Sequence, residues 1–420
     1  MNLSRSWRLG HAAIGLGVMS EISPSTMVTQ LVSAYDDELI ELRRDLHAHP
    51  ELSWVETRTT EIVVARLERA GWRVRSLATT GCIADLGPGE GPIVALRADL
   101  DALALDDDSG QPWSSTVAGA AHACGHDVHM AALLGAALAL SDLHERGALP
   151  GRVRLIFQPA EEVMPGGAKQ LIAQGALDGV TQIFALHCEP AVDVGLVGLR
   201  SGALTSAADK IEVHLEGAGG HTSRPHLTGD LTFALAKVTT ELPAVLSRRL
   251  DPRAGVSVVW GVLRAGSAVN VIPGHGLAGG TVRILDPEAW ARCEPVVREA
   301  VLDIVRPYGV TARVDYLQGV PPVVNDQRCN AVVEAAVLDV LGPDAVTEVP
   351  QSLGGEDFGW YGTHVPGAMF RLGTRTPGGP TYDLHQGNLR VDERAIGYGA
   401  AVLAATALRA LDQPVDQPLR

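Results

Sequence analysis

The stretch "GPIVALRAD", Gly91 to Asp99, is a short aliphatic run that ends on an acidic residue. "GRVRLIFQPA", Gly151 to Ala160, and "TQIFALHCE", Thr181 to Glu189, are likewise aliphatic runs that lead into polar residues. A strand with one wet face alternates polar and apolar residues, whereas a strand covered on both faces stays apolar throughout. Helical patterns precede these runs: "VTQLVSAYDDELIELRRDLHAHPE" from Val28, and "TRTTEIVVARLERAGW" from Thr57, which Gly71 stops. The alternation predicts an α/β fold, with a mostly parallel sheet flanked by helices on both faces. In such sheets functional groups gather just past the strand ends. Asp99, Asp101, the Glu161–Glu162 pair and His187 occupy those positions.

The middle of the chain has a different rhythm. "KIEVHLEG" alternates, with Ile211, Val213 and Leu215 on one face and Glu212, His214 and Glu216 on the other. A helix from Asp230, strands from Gly255 and Gly276, a helix from Pro287 and a strand from Val310 follow. That order, β-α-β-β-α-β, predicts a ferredoxin-like α+β domain over residues 207–317. Parallel-sheet character then resumes, with "GAMFRLGT" as a strand and "DERAIGYGAAVLAATALRAL" as a closing helix. The small domain is therefore read as an insertion into a catalytic domain built from residues 25–206 and 318–420. Arg5 and Arg8 ahead of "AAIGLGVM" imitate a signal peptide without a cleavage pattern. Residues 1–24 are read as a disordered leader, or as a start assigned ahead of Met19 or Met27.

Of 420 residues, 46% are hydrophobic and 20% charged, the profile of a soluble globular protein. Acidic residues outnumber basic ones by 49 to 34, a formal charge of −15, which repels nucleic acid. The run from Met130 to Leu140 is too short to span a bilayer, so no membrane partner is expected. Five scattered cysteines form no disulfide framework and point to a reducing cytoplasm.

The chemistry concentrates in "AHACGHDVHMAALLGAALAL", Ala121 to Leu140. Cys124 and His126 stand two apart in a glycine-containing loop before a helix, and thiolate and imidazole together suit zinc or a similar metal. Further ligands must come from elsewhere, and Glu161 or Glu162, His187 and His385 are the candidates. Any one histidine is more simply a helix-cap or core residue; one Cys, three His and two Glu at loop and strand-end positions are not. Adjacent glutamates leave an extended segment in opposite directions, so one can bind metal while the other takes the proton of an attacking water. Taken alone, the pair is equally a solvated acidic turn.

At these residues the sequence resembles the M20 metallopeptidase/amidohydrolase family, most closely its aminoacylase-like branch of hippurate hydrolases, N-acyl-amino-acid amidohydrolases and auxin-conjugate hydrolases. The likeness runs from about Leu42 to Leu411. It is carried by "LRRDLHAHPELSWVETRT", "ALRADLDAL", "HACGHDVHMA", "IFQPAEEVMPGGAKQLIAQGAL" and "ALHCEP", then by "GGHTSRPH", "NVIPGHGLAGGTVRILD", "GGEDFGWY" and "LHQGNLRVDERAI" in the family's order.

The resemblance implies two divalent metal ions, with Cys124 bridging and His126, Glu162, His187 and His385 completing the coordination. Zinc suits these ligands best, and manganese or cobalt would also fit. Glu161 would be the general base. Asp99, Asp101 and Asp127 would orient ligands without binding metal, His122 and His129 are placed behind the ligands, and His47 and His49 are structural. His221 would polarise the scissile carbonyl from the partner subunit of a homodimer joined through the small domains. Asn270 and Arg283 would hold the substrate carboxylate. His226 and Glu356 match motif positions without an assigned role, and Met164–Pro165 replaces the small residues of many relatives. The reaction implied is hydrolysis of N-acyl amino acids, a small-molecule substrate. A dipeptidase or carboxypeptidase is the alternative within the family, and a non-catalytic binding protein on the same scaffold is the alternative outside it.

Overall fold

The computed structural model describes residues 24–413. The leader reading of residues 1–24 falls almost wholly outside them. The large sheet has eight strands, in the spatial order Arg73–Ser76, Cys82–Leu86, Arg152–Gln158, Ile93–Asp99, Val180–Asp193, Gly367–Arg375, Val197–Leu199 and Val346–Glu348. The four central strands are parallel, and antiparallel pairings occur only toward the two ends. Every residue of Ile93–Asp99 is buried, as its unbroken aliphatic sequence requires.

One face of this sheet carries the long helices His126–Glu145 and Arg394–Asp412, with Asp36–Ala48 packed outside them. His126–Glu145 is buried on nearly all sides, which is why its alanines and leucines show no polar stripe. Arg394–Asp412 is apolar enough to cross a membrane, yet two-thirds of it is buried within the protein. The other face is covered only by the short helices Ala168–Ala173 and Gly359–Gly362 and their flanking loops, around Phe358, Tyr361 and Met369. Helices thus flank both faces, and the chain spends this second side on the segments that frame the cavity described below. The first helical pattern also divides, into Pro24–Ser33 and Asp36–Ala48, at Tyr35.

The strands Ser257–Ala265, His275–Ile284, Ala207–Gly217 and Val310–Val320 form a separate antiparallel sheet in that order. Helices Leu231–Arg249 and Pro287–Val305 cover one face and enclose a second core around Ile211, Val213 and Leu215. This is the ferredoxin-like arrangement. At the junction of the two sheets, the Trp290 and Trp360 rings meet edge to face at 5.6 Å. Trp290 Nε1 donates to Asp209, and Trp360 Nε1 donates to the Pro165 carbonyl.

Candidate metal centre and active site

Strands Ile93–Asp99 and Arg152–Gln158 run parallel with Asp99 opposite Gln158, so the chain leaves both at one edge of the sheet. Ala160 then adopts φ 54°, a left-handed conformation that costs a non-glycine residue about 1–2 kcal/mol. Its N–H is held by Glu56 Oε1 at 2.8 Å, and Glu56 is fully buried. The turn presents the next two N–H groups to a single carboxylate: Glu161 donates to Asp101 Oδ1 at 3.0 Å and Glu162 to Asp101 Oδ2 at 2.9 Å. Ser53 Oγ also donates to Asp101 Oδ2, at 2.6 Å.

Gly125, at φ 87°, precedes the helix that His126 begins, and a Cβ there would lie 2.8 Å from Cys188 Sγ. Glycine is the residue that fits both demands. His126 Nδ1 donates to the Asp101 carbonyl and His187 Nδ1 to the Cys188 carbonyl, each at 2.8 Å. A carbonyl can only accept, so both imidazoles are oriented with Nε2 turned inward. His187 Nε2 lies 3.5 Å from Cys124 Sγ, and His126 Nε2 lies 3.7 Å from Glu162 Oε1. His385, itself at φ 61°, brings its Nε2 to 3.4 Å from the same Glu162 oxygen.

His126 Nε2 and Glu162 Oε1 are buried without a hydrogen-bond partner. Buried polar atoms left in that state are costly. The potential ligand atoms of Cys124, His126 and His187 lie within 4.8 Å of one another, as do those of Cys124, Glu162 and His385 and those of His126, Glu161 and Glu162. Burial, then the charges of Glu356 and Glu162, hold the Glu161 carboxyl well above the usual range. Burial opposes the charged form of His126, but Asp99 and Cys124 outweigh it and hold its pKa well above the ordinary value. Burial pushes the Cys124 thiol up as well. Two carboxylates and a thiol gathered with imidazoles in a buried cluster call for positive charge, and the donor set fits divalent metal.

Cys124, Glu161, Glu162, His187, His385 and Arg283 line one cavity of about 490 Å³, with Met164 in its wall. Asp99 lies behind it, holding His129 Nδ1 at 2.6 Å and Arg97 at 2.7 Å. Asp127 departs from the sequence reading: its carboxylate binds Arg43 Nε at 2.6 Å and His47 Nδ1 at 2.8 Å and touches no ligand side chain. One step along a helix turns a side chain by about 100° away from its neighbour, here His126. His221 and Asn270 are exposed on a small ribbon, where His221 pairs with Val271 and Thr222 N–H donates to the Asn270 carbonyl; neither lines the cavity of its own chain. The expected grouping of Asn270 with Arg283 is therefore absent within one chain.

Sequence reasoning missed a buried charge network at the back of the cavity. Arg97 donates to Asp99 and to Asp357 at 2.8 Å, and lies 3.2 Å from Glu356. Glu356, left without a role above, faces the cavity from this network.

Comparison with known proteins identifies the family. The profile of peptidase family M20/M25/M40 matches residues 95–409. A Rhodococcus jostii protein carrying a glutamate–cysteine ligase name is 48% identical over 378 residues, 90% of this chain but 47% of that protein, so the chain spans about half its length. The N-acetyl-L-cysteine deacetylase of Bacillus subtilis is 37% identical over 383 residues, 91% of this chain and 90% of that enzyme. The solved YxeP protein of Bacillus subtilis, described as a dinuclear metal-binding peptidase, matches with a TM-score of 0.78 at 32% identity, covering 91% of this chain and 99% of that one. The chain belongs to peptidase family M20/M25/M40, in its aminoacylase-like branch. It is a metal-dependent amidohydrolase.

Proposed function

We propose that this chain hydrolyses the amide bond of N-acyl amino acids, with two divalent ions held by Cys124, His126, Glu162, His187 and His385. The observation that carries this reading is the unpartnered pair His126 Nε2 and Glu162 Oε1, 3.7 Å apart at a cavity that also contains Glu161. When bound, the ions supply Lewis acidity and make water acidic enough to attack at neutral pH. Glu161 accepts the proton of the attacking water and delivers it to the leaving amine nitrogen. Asp101 fixes both glutamates through their backbone, and Asp99 acts one layer further out by holding His129 and Arg97. Arg283 receives the substrate carboxylate.

His221 and Asn270 act from the partner subunit of a homodimer joined through the small sheets, which is consistent with their exposure and their distance in sequence from the ligands. Residues 207–317 are then a dimerisation and lid domain. The compartment is the reducing cytoplasm, supported by five buried, unpaired cysteines.

The test is hydrolysis of acetyl-, benzoyl- and aminoacyl-amino acids by protein stripped of metal and then reloaded with zinc, manganese or cobalt. Turnover lost on chelation and restored by metal is expected. Undiminished turnover in protein shown to be metal-free overturns the reading. Preference for aminoacyl substrates would make the chain a dipeptidase instead.

A further inference from the structure

Four arginines are buried in the described chain: Arg43, Arg97, Arg154 and Arg371. Three have carboxylate partners: Arg43 has Asp127 at 2.6 Å, Arg97 has Asp99 at 2.7 Å, and Arg154 has Asp85 at 2.7 Å. Arg371, 7% exposed, makes no ion pair and no side-chain hydrogen bond among the described residues. Its guanidinium nitrogens are accessible and open onto the cavity, where an anion can supply the missing counter-charge.

The position of Arg371 indicates the source. It stands directly opposite His187 in the neighbouring parallel strand, so both side chains leave the same face of the sheet. It lines the cavity that contains Cys124, Glu161 and Glu162, and also an adjoining hollow beside Glu189 and Tyr382. Once the cluster holds divalent ions, a guanidinium beside it is repelled unless an anion lies between them. Asp383 lines the cavity as well, but its Oδ1 takes the Leu384 N–H at 2.9 Å, and it forms no ion pair with Arg371. Arg283 enters the same cavity from the small sheet, and it too makes no ion pair there. Two guanidinium groups, delivered by two different sheets, give the cavity two separate anchors for anions.

We propose that Arg371 is a specificity-determining residue that receives a second carboxylate, so that the preferred substrates are N-acyl amino acids bearing two carboxylates. This rests on the hydrolase reading of the cavity given above. Guanidinium is the side chain suited to a planar carboxylate, which it engages through two parallel hydrogen bonds. The second carboxylate belongs either to an acidic amino acid or to a dicarboxylic acyl group.

Two matched pairs of compounds separate these sources: N-acetylglutamate against N-acetylglutamine, and N-succinyl-leucine against N-butanoyl-leucine. In wild type, kcat/KM should favour the dicarboxylate of one pair by roughly 10- to 100-fold, the range of a charge-assisted contact. Arg371→Gln should bring that ratio close to one, and Arg371→Lys should retain part of it. No preference in either pair, or an equal loss on both members of a pair, overturns the proposal. Should Arg371→Gln not fold, the wild-type ratios and Arg371→Lys decide. Calorimetric binding of the four compounds to metal-loaded Glu161→Gln protein, with and without Arg371→Gln, reads the site without turnover. Tighter binding of a dicarboxylate that Arg371→Gln abolishes supports the anion site even where none of the four is hydrolysed, an outcome that counts against the hydrolase reading alone. Equal binding within both pairs counts against Arg371.

Discussion

Asp101 accepts the backbone N–H groups of Glu161 and Glu162 on its two carboxylate oxygens, at 3.0 and 2.9 Å. One side chain thus sets the position of the proposed base and of a proposed metal ligand together. Asp101→Asn keeps the volume but leaves a single acceptor oxygen, so one of the two N–H groups faces a donor. Turnover should fall roughly 10- to 100-fold, the effect of losing a contact to a charged group, and metal content should fall as well. Unchanged metal stoichiometry and kcat would remove Asp101 from this role.

The two glutamates should separate by function. Glu161→Gln should keep its metal and lose turnover by several orders of magnitude, because a proton carrier is gone from an intact site. Glu162→Gln should lower metal occupancy instead. Metal analysis beside single-turnover kinetics distinguishes them, and the reverse pattern would exchange the assignments.

His221, exposed on its ribbon, should act on the neighbouring subunit. Glu161→Ala and His221→Ala proteins should each be nearly inactive. After subunit exchange, half of the dimers are hybrids, each with one doubly defective and one intact site. Activity should return to roughly a quarter of wild type for random pairing. A mixture that stays inactive despite demonstrated exchange excludes the shared site.

Away from the cavity, Tyr35 Oη donates to the Asp142 carboxylate at 3.2 Å and ties the N-terminal helices to the helix that begins at His126. Burial, reinforced by Asp142, pushes its pKa from 10.0 up to about 12. The unfolded chain releases this proton at the lower value and the folded chain at the higher. The contribution is therefore fully present below pH 10.0 and disappears as pH rises through about 12. The side chain is only half buried, so the effect is about 1 kcal/mol after allowance for solvent screening. Melting curves from pH 9 to 12 should fall more steeply for wild type than for Tyr35→Phe, and parallel curves would refute the linkage.

What could be read in advance followed from local rules. The aliphatic runs around Ile93 and Ile183 specify covered strands, the alternation from Ile211 to Leu215 specifies a half-wet one, and Cys124 with His126 marks a ligand loop. Long-range pairing left no such mark. Arg97 meets Asp357 across 260 positions of sequence, and Arg371 inside "GAMFRLGT" reads only as a strand residue until His187 is set beside it. The resemblance implies a ligand-orienting role for Asp127, but the helix turns its side chain toward Arg43 and His47, a partnership that no local pattern announces. Ala160, in a left-handed conformation without being glycine, had no sequence signal, although the turn it makes presents both glutamates to Asp101.

The contact between Trp290 and Trp360 gives the chain its own optical gauge. One indole belongs to the small sheet's helix and the other to the wall of the large domain; Lys169 Nζ lies 4.4 Å from the Trp360 ring centre, where its charge can quench emission. Any swing of the two sheets apart separates the rings and exposes both indoles to water. The fluorescence of the unlabelled protein should therefore shift to the red as the cleft opens, so substrate-driven motion can be followed in a stopped-flow cell without attaching a dye.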